Sequence, residues 1–171
     1  MKPRNHTILA LDPGLRDLGY AVLRGKHLVT ANVLSLRNVL RSRRLSRVRE
    51  ELTALIRGYR PQAIAIEEMP QRSLDKVAGL PALGRLVRKL ARRRRLKLAA
   101  YSARTVRRSV VGNGWAGKRE TAEAMVARFP DLRVQLTQNR KWKEAYWQNM
   151  YDASAIGIHH QLITKPPSRS R

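Results

Sequence analysis

Three acidic residues each follow or interrupt a stretch of apolar residues. Asp12 ends an apolar run that begins at Ile8, Glu67 follows a second run that begins at Ala63, and Asp152 lies within a long apolar segment with helical spacing. A buried carboxylate without a partner costs several kcal/mol or stays protonated. The pattern therefore predicts that these acids are compensated, either by basic side chains in salt bridges or by a bound cation.

The elements that must position the acids follow from hydrophobic periodicity and from the positions of glycine and proline. Short apolar runs joined by glycine-containing turns predict an antiparallel meander of three strands, and the order of the remaining elements predicts one α/β domain with a mixed central sheet flanked by helices. The domain is expected to span residues 1–164, with a basic disordered tail over residues 165–171 and a polar loop over 131–140. Strands are predicted at 8–11, 19–24, 27–33, 63–66 and 96–101, and helices at about 39–57, 81–91, 102–108, 118–129 and 142–163.

Composition indicates the kind of partner. The 171 residues include 36 lysines and arginines but only 12 aspartates and glutamates, giving a formal net charge of +24. An excess of this size is typical of proteins that bind a polyanion, most often nucleic acid. There are no cysteines, which excludes disulfides and cysteine-based zinc sites. No apolar run reaches the length of a membrane span, and we expect no signal peptide and a cytoplasmic protein.

Carboxylates gathered in a strongly basic protein point to hydrolysis of nucleic acid. Like charges raise one another's pKa unless a divalent cation neutralises them, so a cluster of Asp12, Glu67 and Asp152 implies coordination of a hard metal by oxygen. Two such ions would stabilise both the attacking water and the leaving oxygen of a phosphodiester. The competing interpretation for each acid alone is a structural salt bridge with one of the many arginines.

Four blocks of sequence together resemble RuvC-type Holliday junction resolvases, which belong to the RNase H-like superfamily. Residues 8–14, ending in Asp12-Pro13-Gly14, resemble the opening strand of that family, and residues 65–68 resemble its second acidic motif. Residues 101–112, followed by Lys118, resemble its DNA-contacting segment, and residues 152–160 resemble its C-terminal acidic helix. The resemblance implies an RNase H-like fold and covers nearly the whole chain.

The resemblance also implies roles for individual residues. Asp12, Glu67 and Asp152 would hold two Mg²⁺ or Mn²⁺ ions, and Arg107 and Lys118 would hold phosphates near the scissile bond, with Lys118 belonging to the catalytic set. The family acts as a homodimer on four-way DNA junctions, which it cuts symmetrically. A branch-migration complex is a further possible partner that the sequence does not reveal. Neighbouring residues of the same blocks are candidates for DNA contact: Arg104, Arg108, Trp115 and Arg119.

Two positions depart from the family pattern. Asn149 occupies the place of an expected acid or histidine, and an amide oxygen can coordinate a metal but brings no charge. Pro70 stands where many members carry an aromatic residue that wedges into the junction, and neither it nor Met69 has a π-face for stacking on a base. We therefore expect weaker binding of the second metal and no inherited preference for a cleavage sequence.

Other basic segments leave alternatives open. The loop 112–117 before Lys118 imitates a phosphate-binding P-loop, but Arg119 stands where that motif needs Ser or Thr, which argues against an NTPase. The exposed loop instead suits contact with the phosphate backbone, while Trp115 is equally compatible with an anchor folded back on its own loop. The arginine run 92–95 is either a solvated helix end or a contact with junction arms.

The sequence thus predicts a metal-dependent endonuclease that resolves Holliday junctions in recombination and repair. Two alternatives remain. Asn149 is compatible with a junction-binding protein that does not cut, and the acidic cluster alone would equally suit an RNase H-like nuclease acting on flaps or RNA–DNA hybrids. Within a cell we expect association with the nucleoid, or with host cytoplasm if the source is viral.

Overall fold

A computed structural model describes residues 6–68, 79–136 and 141–164, which form a five-stranded sheet with helices on both faces. No helix in these ranges is long and apolar enough to cross a membrane. The strands are β1 (Thr7–Asp12), β2 (Asp17–Arg24), β3 (His27–Ser35), β4 (Ala63–Glu67) and β5 (Lys97–Tyr101). The α-helices of the described ranges are α1 (Arg44–Tyr59), α2 (Leu80–Arg93), α3 (Ala103–Val111), α4 (Lys118–Arg128), α5 (Arg133–Leu136) and α6 (Lys141–Thr164).

The sheet is mixed, with the strand order β3-β2-β1-β4-β5. β1, β2 and β3 pair in antiparallel fashion, as the glycine-containing turns predict, whereas β4 and β5 run parallel to β1. In the register of the central pair, Leu11 lies opposite Ile66, so that β1 and β4 end at the same edge of the sheet. The predicted α/β fold with a mixed sheet is confirmed.

Two hydrophobic cores lie on opposite faces of the sheet because strand side chains alternate between faces. One core joins Leu9 and Leu11 of β1 to α1 and α2, and the other joins Ile8 and Ala10 of the same strand to α3, α4 and α6. Helices α1 and α2 bury the apolar stripe predicted from their spacing. Asp12 follows Leu11 and shares the alternation of Ile8 and Ala10, so it is on the face of the sheet that packs against α6.

Local signals explain where α3 begins and ends and where α4 begins. Ser102 caps α3 by accepting a hydrogen bond from the backbone N–H of Thr105 at 3.2 Å, and α3 ends at Gly112, whose φ of +87° is left-handed. Helix α4 begins after Gly117, whose N–H donates to the Glu120 carboxylate at 2.6 Å. The helix predicted from residue 118 begins at Lys118, and the helix predicted from residue 102 begins at Ala103, with Ser102 as its cap.

The three largest differences from the sequence prediction lie at the start of α1, at the end of α3 and in the segment after α4. The helix expected from about residue 39 begins at Arg44, after a short 3₁₀ turn over Arg41–Arg43. The helix expected to end at 108 continues to Val111, and the polar loop expected over 131–140 contains a 3₁₀ turn and the short helix α5. Polar composition misled the last prediction, because Leu132 is buried in the core and its packing fixes a helical turn. The predicted tail and the Met69-Pro70 position lie outside the described residues.

Candidate active site

Asp12 and Glu67 occupy equivalent places at the ends of two neighbouring parallel strands. Each follows by one residue the register pair of Leu11 and Ile66, and each has the side-chain parity of the face that packs against α6. Adjacent strands of a sheet lie only about 4.8 Å apart, so the two carboxylates are held close by the backbone ladder. Both residues are half-buried. The structure thereby brings together two of the predicted acids.

Asp152 reaches the same place from α6, which packs closely across the sheet. A Cβ added at Gly157 would overlap the side chain of Leu23 on β2, and one added at Gly19 would overlap the backbone oxygen of Asn149. Glycine at these two positions therefore permits the approach of helix and strand. Asp152 is half-buried and accepts a hydrogen bond from the Gln148 amide at 3.1 Å.

The pKa values of all three carboxyls are raised, mainly by burial and, for Asp12 and Glu67, also by neighbouring carboxylates. Burial and the charges of Asp152 and Glu67 raise the pKa of Asp12 well above its ordinary value. Burial and the charge of Asp152 raise the pKa of Glu67 to about 7, and burial also raises the pKa of Asp152. Among the described residues, none of the three forms a salt bridge. The sequence left open a structural salt bridge for each acid, and the described residues contain no such bridge.

Two cations act on the cluster without forming ion pairs with it. Arg107 on α3 lowers the pKa values of all three carboxyls, and Lys118 on α4 lowers those of Asp12 and Asp152. Arg107 also lines a small cavity together with Glu67 and Asp152. These effects only partly offset those of burial and like charge. The acids therefore keep their protons to a higher pH than usual, although the protein has a net charge of +24.

The donor set suits a divalent cation by its chemistry. It offers carboxylate oxygens, the ligands that Mg²⁺ and Mn²⁺ prefer, and its raised pKa values show that the charge still lacks a counterion. Within the described ranges, however, no three acidic or imidazole side chains lie close enough together to enclose a metal as they stand. The acids therefore have the ligand chemistry of a metal site and lie at a common edge of the sheet. Their oxygens do not form a complete coordination shell.

Asn149, the fourth predicted ligand, has a structural contact that the sequence did not reveal. Its Nδ2 donates a hydrogen bond to the backbone oxygen of Asp17 at 2.8 Å, and this bond ties α6 to the start of β2. The residue lies one helical turn before Asp152 and is half-buried. The bond uses the amide nitrogen, so the carbonyl oxygen Oδ1 is the atom that remains for a metal.

The predicted DNA-contacting residues form an exposed surface beside the acids. Arg104, Arg108, Lys118 and Arg119 are exposed on α3 and α4, and Trp115 in the loop between these helices is 76% exposed. Lys118 and Arg119 occupy the first turn of α4, where the helix dipole disfavours cations and favours a bound anion. Their placement is therefore better suited to binding phosphate than to stabilising the helix.

Trp115 is not free in its loop. The Arg104 guanidinium lies 4.2 Å from the centre of its ring, which is a cation–π contact. Arg119 pairs with Glu123 one turn later on α4 at 2.9 Å. Trp115 therefore has a contact within this region, as expected for a loop anchor, because Arg104 holds the indole. Most of the indole surface remains accessible.

Two histidines on α6 have partners that could not be predicted from the sequence. Nδ1 of His159 lies 2.7 Å from the Ser109 hydroxyl on α3, and Nδ1 of His160 lies 2.6 Å from the Tyr101 hydroxyl on β5. Burial lowers the pKa of both imidazoles. The Ser109 bond attaches α3, which carries Arg107, to the helix that carries Asp152, and the Tyr101 bond attaches β5 to the same helix. No spacing rule links residues 50 or 59 positions apart, whereas the Gln148 bond to Asp152 follows from their i, i+4 spacing.

The fold is that of the RNase H-like nucleases. A meander of three antiparallel strands, two further strands parallel to the first, and a last helix packed across the sheet place acids from β1, β4 and α6 on one face.

The chain belongs to the crossover junction endodeoxyribonuclease RuvC family, whose model matches residues 8–160. It is 31% identical over 165 residues to a RuvC of Akkermansia muciniphila, and the match covers 93% of this chain and 92% of that protein. It is 34% identical over 134 residues to a RuvC of a Nocardioides species, covering 74% and 75% of the two chains. The family suggested by the four sequence blocks is thereby confirmed.

Solved structures share the fold at low sequence identity. Thermus thermophilus RuvC in complex with Holliday junction substrate superimposes with a TM-score of 0.66 at 20% identity, covering 91% of this chain and 96% of that one. The fowlpox virus resolvase in complex with Holliday junction DNA gives a TM-score of 0.62 at 8% identity, covering 93% and 99%. At these identities the comparison establishes the fold, and the roles of individual residues stay predictions.

Proposed function

We propose that this protein is a metal-dependent endonuclease that resolves Holliday junctions by hydrolysing phosphodiester bonds at symmetric positions. The observation that carries the proposal is the meeting of Asp12, Glu67 and Asp152 on one face of the sheet without ion pairs, in a basic chain of the RuvC family. Cutting of this kind belongs to DNA recombination and repair.

The acids are proposed to hold Mg²⁺ or Mn²⁺, two ions per site, with Asn149 Oδ1 as a neutral fourth ligand. When bound, such ions supply an activated water and stabilise the charge on the leaving oxygen. The protein's own contribution is to fix the carboxylates in place. Asp12 and Glu67 cannot move apart without unpairing β1 from β4, and Asp152 is held by the packing of α6 against the sheet.

Arg107 and Lys118 are proposed to hold the phosphate at the scissile bond. Both act electrostatically on the acidic cluster, yet neither is committed to an ion pair with it, which leaves their charges available to a phosphate. Arg104, Arg108, Arg119 and Trp115 would extend this contact along the backbone. Lys118 at the N-terminus of α4 combines its charge with that of the helix dipole.

Symmetric cleavage of a four-way junction requires two active sites related by two-fold symmetry. A homodimer is therefore part of the proposal. The second subunit would then cut the other DNA strand of the same polarity.

The decisive experiment measures cleavage of a labelled immobile four-way junction at fixed, moderate salt, with Mg²⁺ and Mn²⁺ titrated separately. Salt is fixed because a protein of this charge binds any nucleic acid at low ionic strength. We expect paired symmetric nicks, and much slower cutting of a plain duplex, a flap or an RNA–DNA hybrid. A faster cut of the hybrid or the flap would select the other RNase H-like activity. The proposed mechanism fails if Asp12→Asn cuts the junction as fast as the parent.

A second candidate, a junction-binding protein without cleavage, is favoured by one observation. Asn149 uses its amide to bind the Asp17 carbonyl in the place where the family carries an acid or a histidine. An Asn149→Asp variant separates the two functions. Restored cutting by this variant, with none by the parent, would identify the chain as a binding protein, while equal cutting by both would show that the amide is tolerated.

A further inference from the structure

Trp115 is the only exposed aromatic residue among those whose side chains the structure describes, and 76% of its surface is accessible. The other described tyrosine, tryptophan and phenylalanine side chains all lie in, or pack against, the two hydrophobic cores. A single exposed apolar residue needs no explanation by itself. What an exposed indole can do depends on how it is held and on what surrounds it.

The loop between α3 and α4 is fixed on both sides of the indole. The backbone N–H of Trp115 donates to Oδ1 of Asn113 at 2.9 Å, and the N–H of Ala116 donates to the Asn113 carbonyl oxygen at 3.2 Å. The side chain of Ala116 is buried. A Cβ added at Gly114 would lie 3.0 Å from Cγ of Arg104, so the loop packs directly on α3. The backbone therefore presents Trp115 in one fixed direction.

The ring of Trp115 is itself held on one face. The Arg104 guanidinium lies over it, 4.2 Å from the ring centre. A planar guanidinium stacked on an indole covers one face of the ring, and the high exposure of Trp115 leaves the opposite face open. We call these two side chains the Trp115 platform. Because the ring is held before anything binds, little side-chain freedom is lost when a second flat group stacks on it.

The surroundings of the Trp115 platform suit a flat group that carries a phosphate. Arg107 lies one turn after Arg104 on α3, and Lys118 begins α4 three residues after Trp115, which is at most about 10 Å of chain. Both cations act electrostatically on Asp12, so the platform adjoins the acidic cluster. A nucleotide combines an aromatic face with a phosphate and fits both parts of this surface.

We infer that Trp115 stacks on a nucleobase that has lost a stacking neighbour at the branch point of the DNA in the active site. The identity of the DNA rests on the proposed function. In a continuous duplex the faces of each base are covered by its neighbours, whereas a base beside a strand exchange or an unpaired nucleotide offers an open face. Such a contact would therefore distinguish disrupted from continuous DNA, in addition to the backbone contacts proposed above.

A second copy of this chain is a poor alternative occupant of the Trp115 platform. The exposed side chains around the indole include the cations Arg104, Arg108 and Lys118. A two-fold contact centred on Trp115 would bring the two sets of cations together, and like charges opposed in this way repel.

The test compares three variants that leave the charge of the protein unchanged. Trp115→Leu keeps an apolar side chain and loses the aromatic face, whereas Trp115→Phe keeps a smaller aromatic face. The control is Leu40→Ala, which removes an exposed apolar side chain just before the 3₁₀ turn that precedes α1. All three positions are exposed, so the variants are expected to fold, which thermal unfolding verifies.

Binding is measured in EDTA at fixed salt with an immobile four-way junction, a duplex of one arm, and the same duplex with one unpaired adenine. Trp115→Leu should weaken binding of the junction and of the unpaired-base duplex by about tenfold, and binding of the continuous duplex by less than about twofold. Trp115→Phe should recover most of the loss, and Leu40→Ala should bind as the parent does. Equal weakening of all three DNAs by Trp115→Leu, or no recovery with Trp115→Phe, would overturn the inference.

A fluorescent adenine analogue at the unpaired position reports the stack directly, because stacking on an indole quenches its emission. The parent and Trp115→Phe should quench it on binding, and Trp115→Leu should not. Equal quenching by Trp115→Leu would overturn the inference. Sedimentation reports the oligomeric state, and a change caused by Trp115→Leu would overturn the inference in favour of a contact between copies.

The unpaired-base duplex requires neither cleavage nor a junction, so its result is separate from the proposed function. Cleavage of the four-way junction by the parent in Mn²⁺ tests that function by itself. A parent that quenches the unpaired base but does not cut the junction would refute the function and support the stacking contact.

Discussion

Two carboxylate environments lie near each other in this molecule and are built in opposite ways. Asp17, at the start of β2, is only 7% exposed, and its carboxylate is held by the Arg37 guanidinium at 2.6 Å and by the Ser35 hydroxyl at 3.1 Å. Asp12, at the end of β1, is half-buried beside two further acids and forms no ion pair with a described residue. The Asp17 carboxylate is paired with an arginine, whereas the Asp12 carboxylate lies among other acids.

The difference cannot reflect a shortage of basic residues, because the chain has 36 of them for 12 acids. Where a carboxylate serves the fold, as at Asp17, the sequence supplies an arginine. At Asp12 and Glu67 the available cations stay outside ion-pair distance, and burial raises both pKa values. Uncompensated charge lowers stability, and its retention in a single cluster is what a site for a cation requires.

The largest expected effect follows from removing the charge of Asp12. Asp12→Asn should slow junction cleavage by roughly 10³-fold, equivalent to about 4 kcal/mol of transition-state stabilisation, because one metal ligand loses its charge. The same variant should unfold at higher urea concentration than the parent in EDTA, since a buried like charge has gone. Single-turnover cleavage and urea unfolding check the two effects. A loss of stability in EDTA would mean that Asp12 is paired after all.

The paired environment should respond in the opposite way. Asp17→Asn is expected to lower the free energy of unfolding by about 2 kcal/mol, because Arg37 loses a charged hydrogen-bond acceptor in a nearly buried place. Cleavage measured well below the unfolding temperature should change by less than about threefold. Urea unfolding of Asp17→Asn beside Asp12→Asn makes the comparison direct. If Asp17→Asn and Asp12→Asn changed the free energy of unfolding in the same direction, the proposed difference between the two environments would be wrong.

The pH dependence of stability gives a smaller effect with a definite sign. Between the ordinary pKa of a glutamate and the raised value of about 7 for Glu67, the folded state binds more protons than the unfolded state. The free energy of unfolding in EDTA should therefore fall, by about 1–2 kcal/mol, as the pH rises through this window. Urea unfolding from pH 5 to pH 8 measures the fall. Glu67→Gln should flatten it, and so should Mn²⁺, because the ion replaces the protons.

The smallest expected effect concerns Arg107, which lowers the pKa values of all three acids. Arg107→Gln should move the pH profile of cleavage to higher pH and reduce the rate near neutrality by about tenfold, with partial recovery in alkaline buffer. Arg37→Gln serves as the control, because it removes an arginine from the paired environment. A parallel shift of the profile in both variants would trace the effect to net charge.

The parts of the fold that depend on local pattern were predictable. Apolar runs ended by Asp12 and Glu67 predicted the two strands, and the apolar spacing around Asp152 predicted that its helix packs against the domain. The parallel pairing that ends both strands at the same edge is known only from the structure. The position of α5 was not predictable in this way, since a polar stretch becomes helical through the burial of Leu132.

The sequence by itself determined the chemistry that the protein can perform, because residue types, alternation and net charge are properties of short segments. Only the tertiary structure decided which charges are paired. The bond from Asn149 to Asp17 joins residues 132 positions apart, and the bond from Ser109 to His159 joins residues 50 positions apart. Such contacts depend on how α6 packs across β2 and α3, and no local preference fixes that packing. The same reason explains why the pairing of Asp17 with Arg37 was not predicted from the sequence.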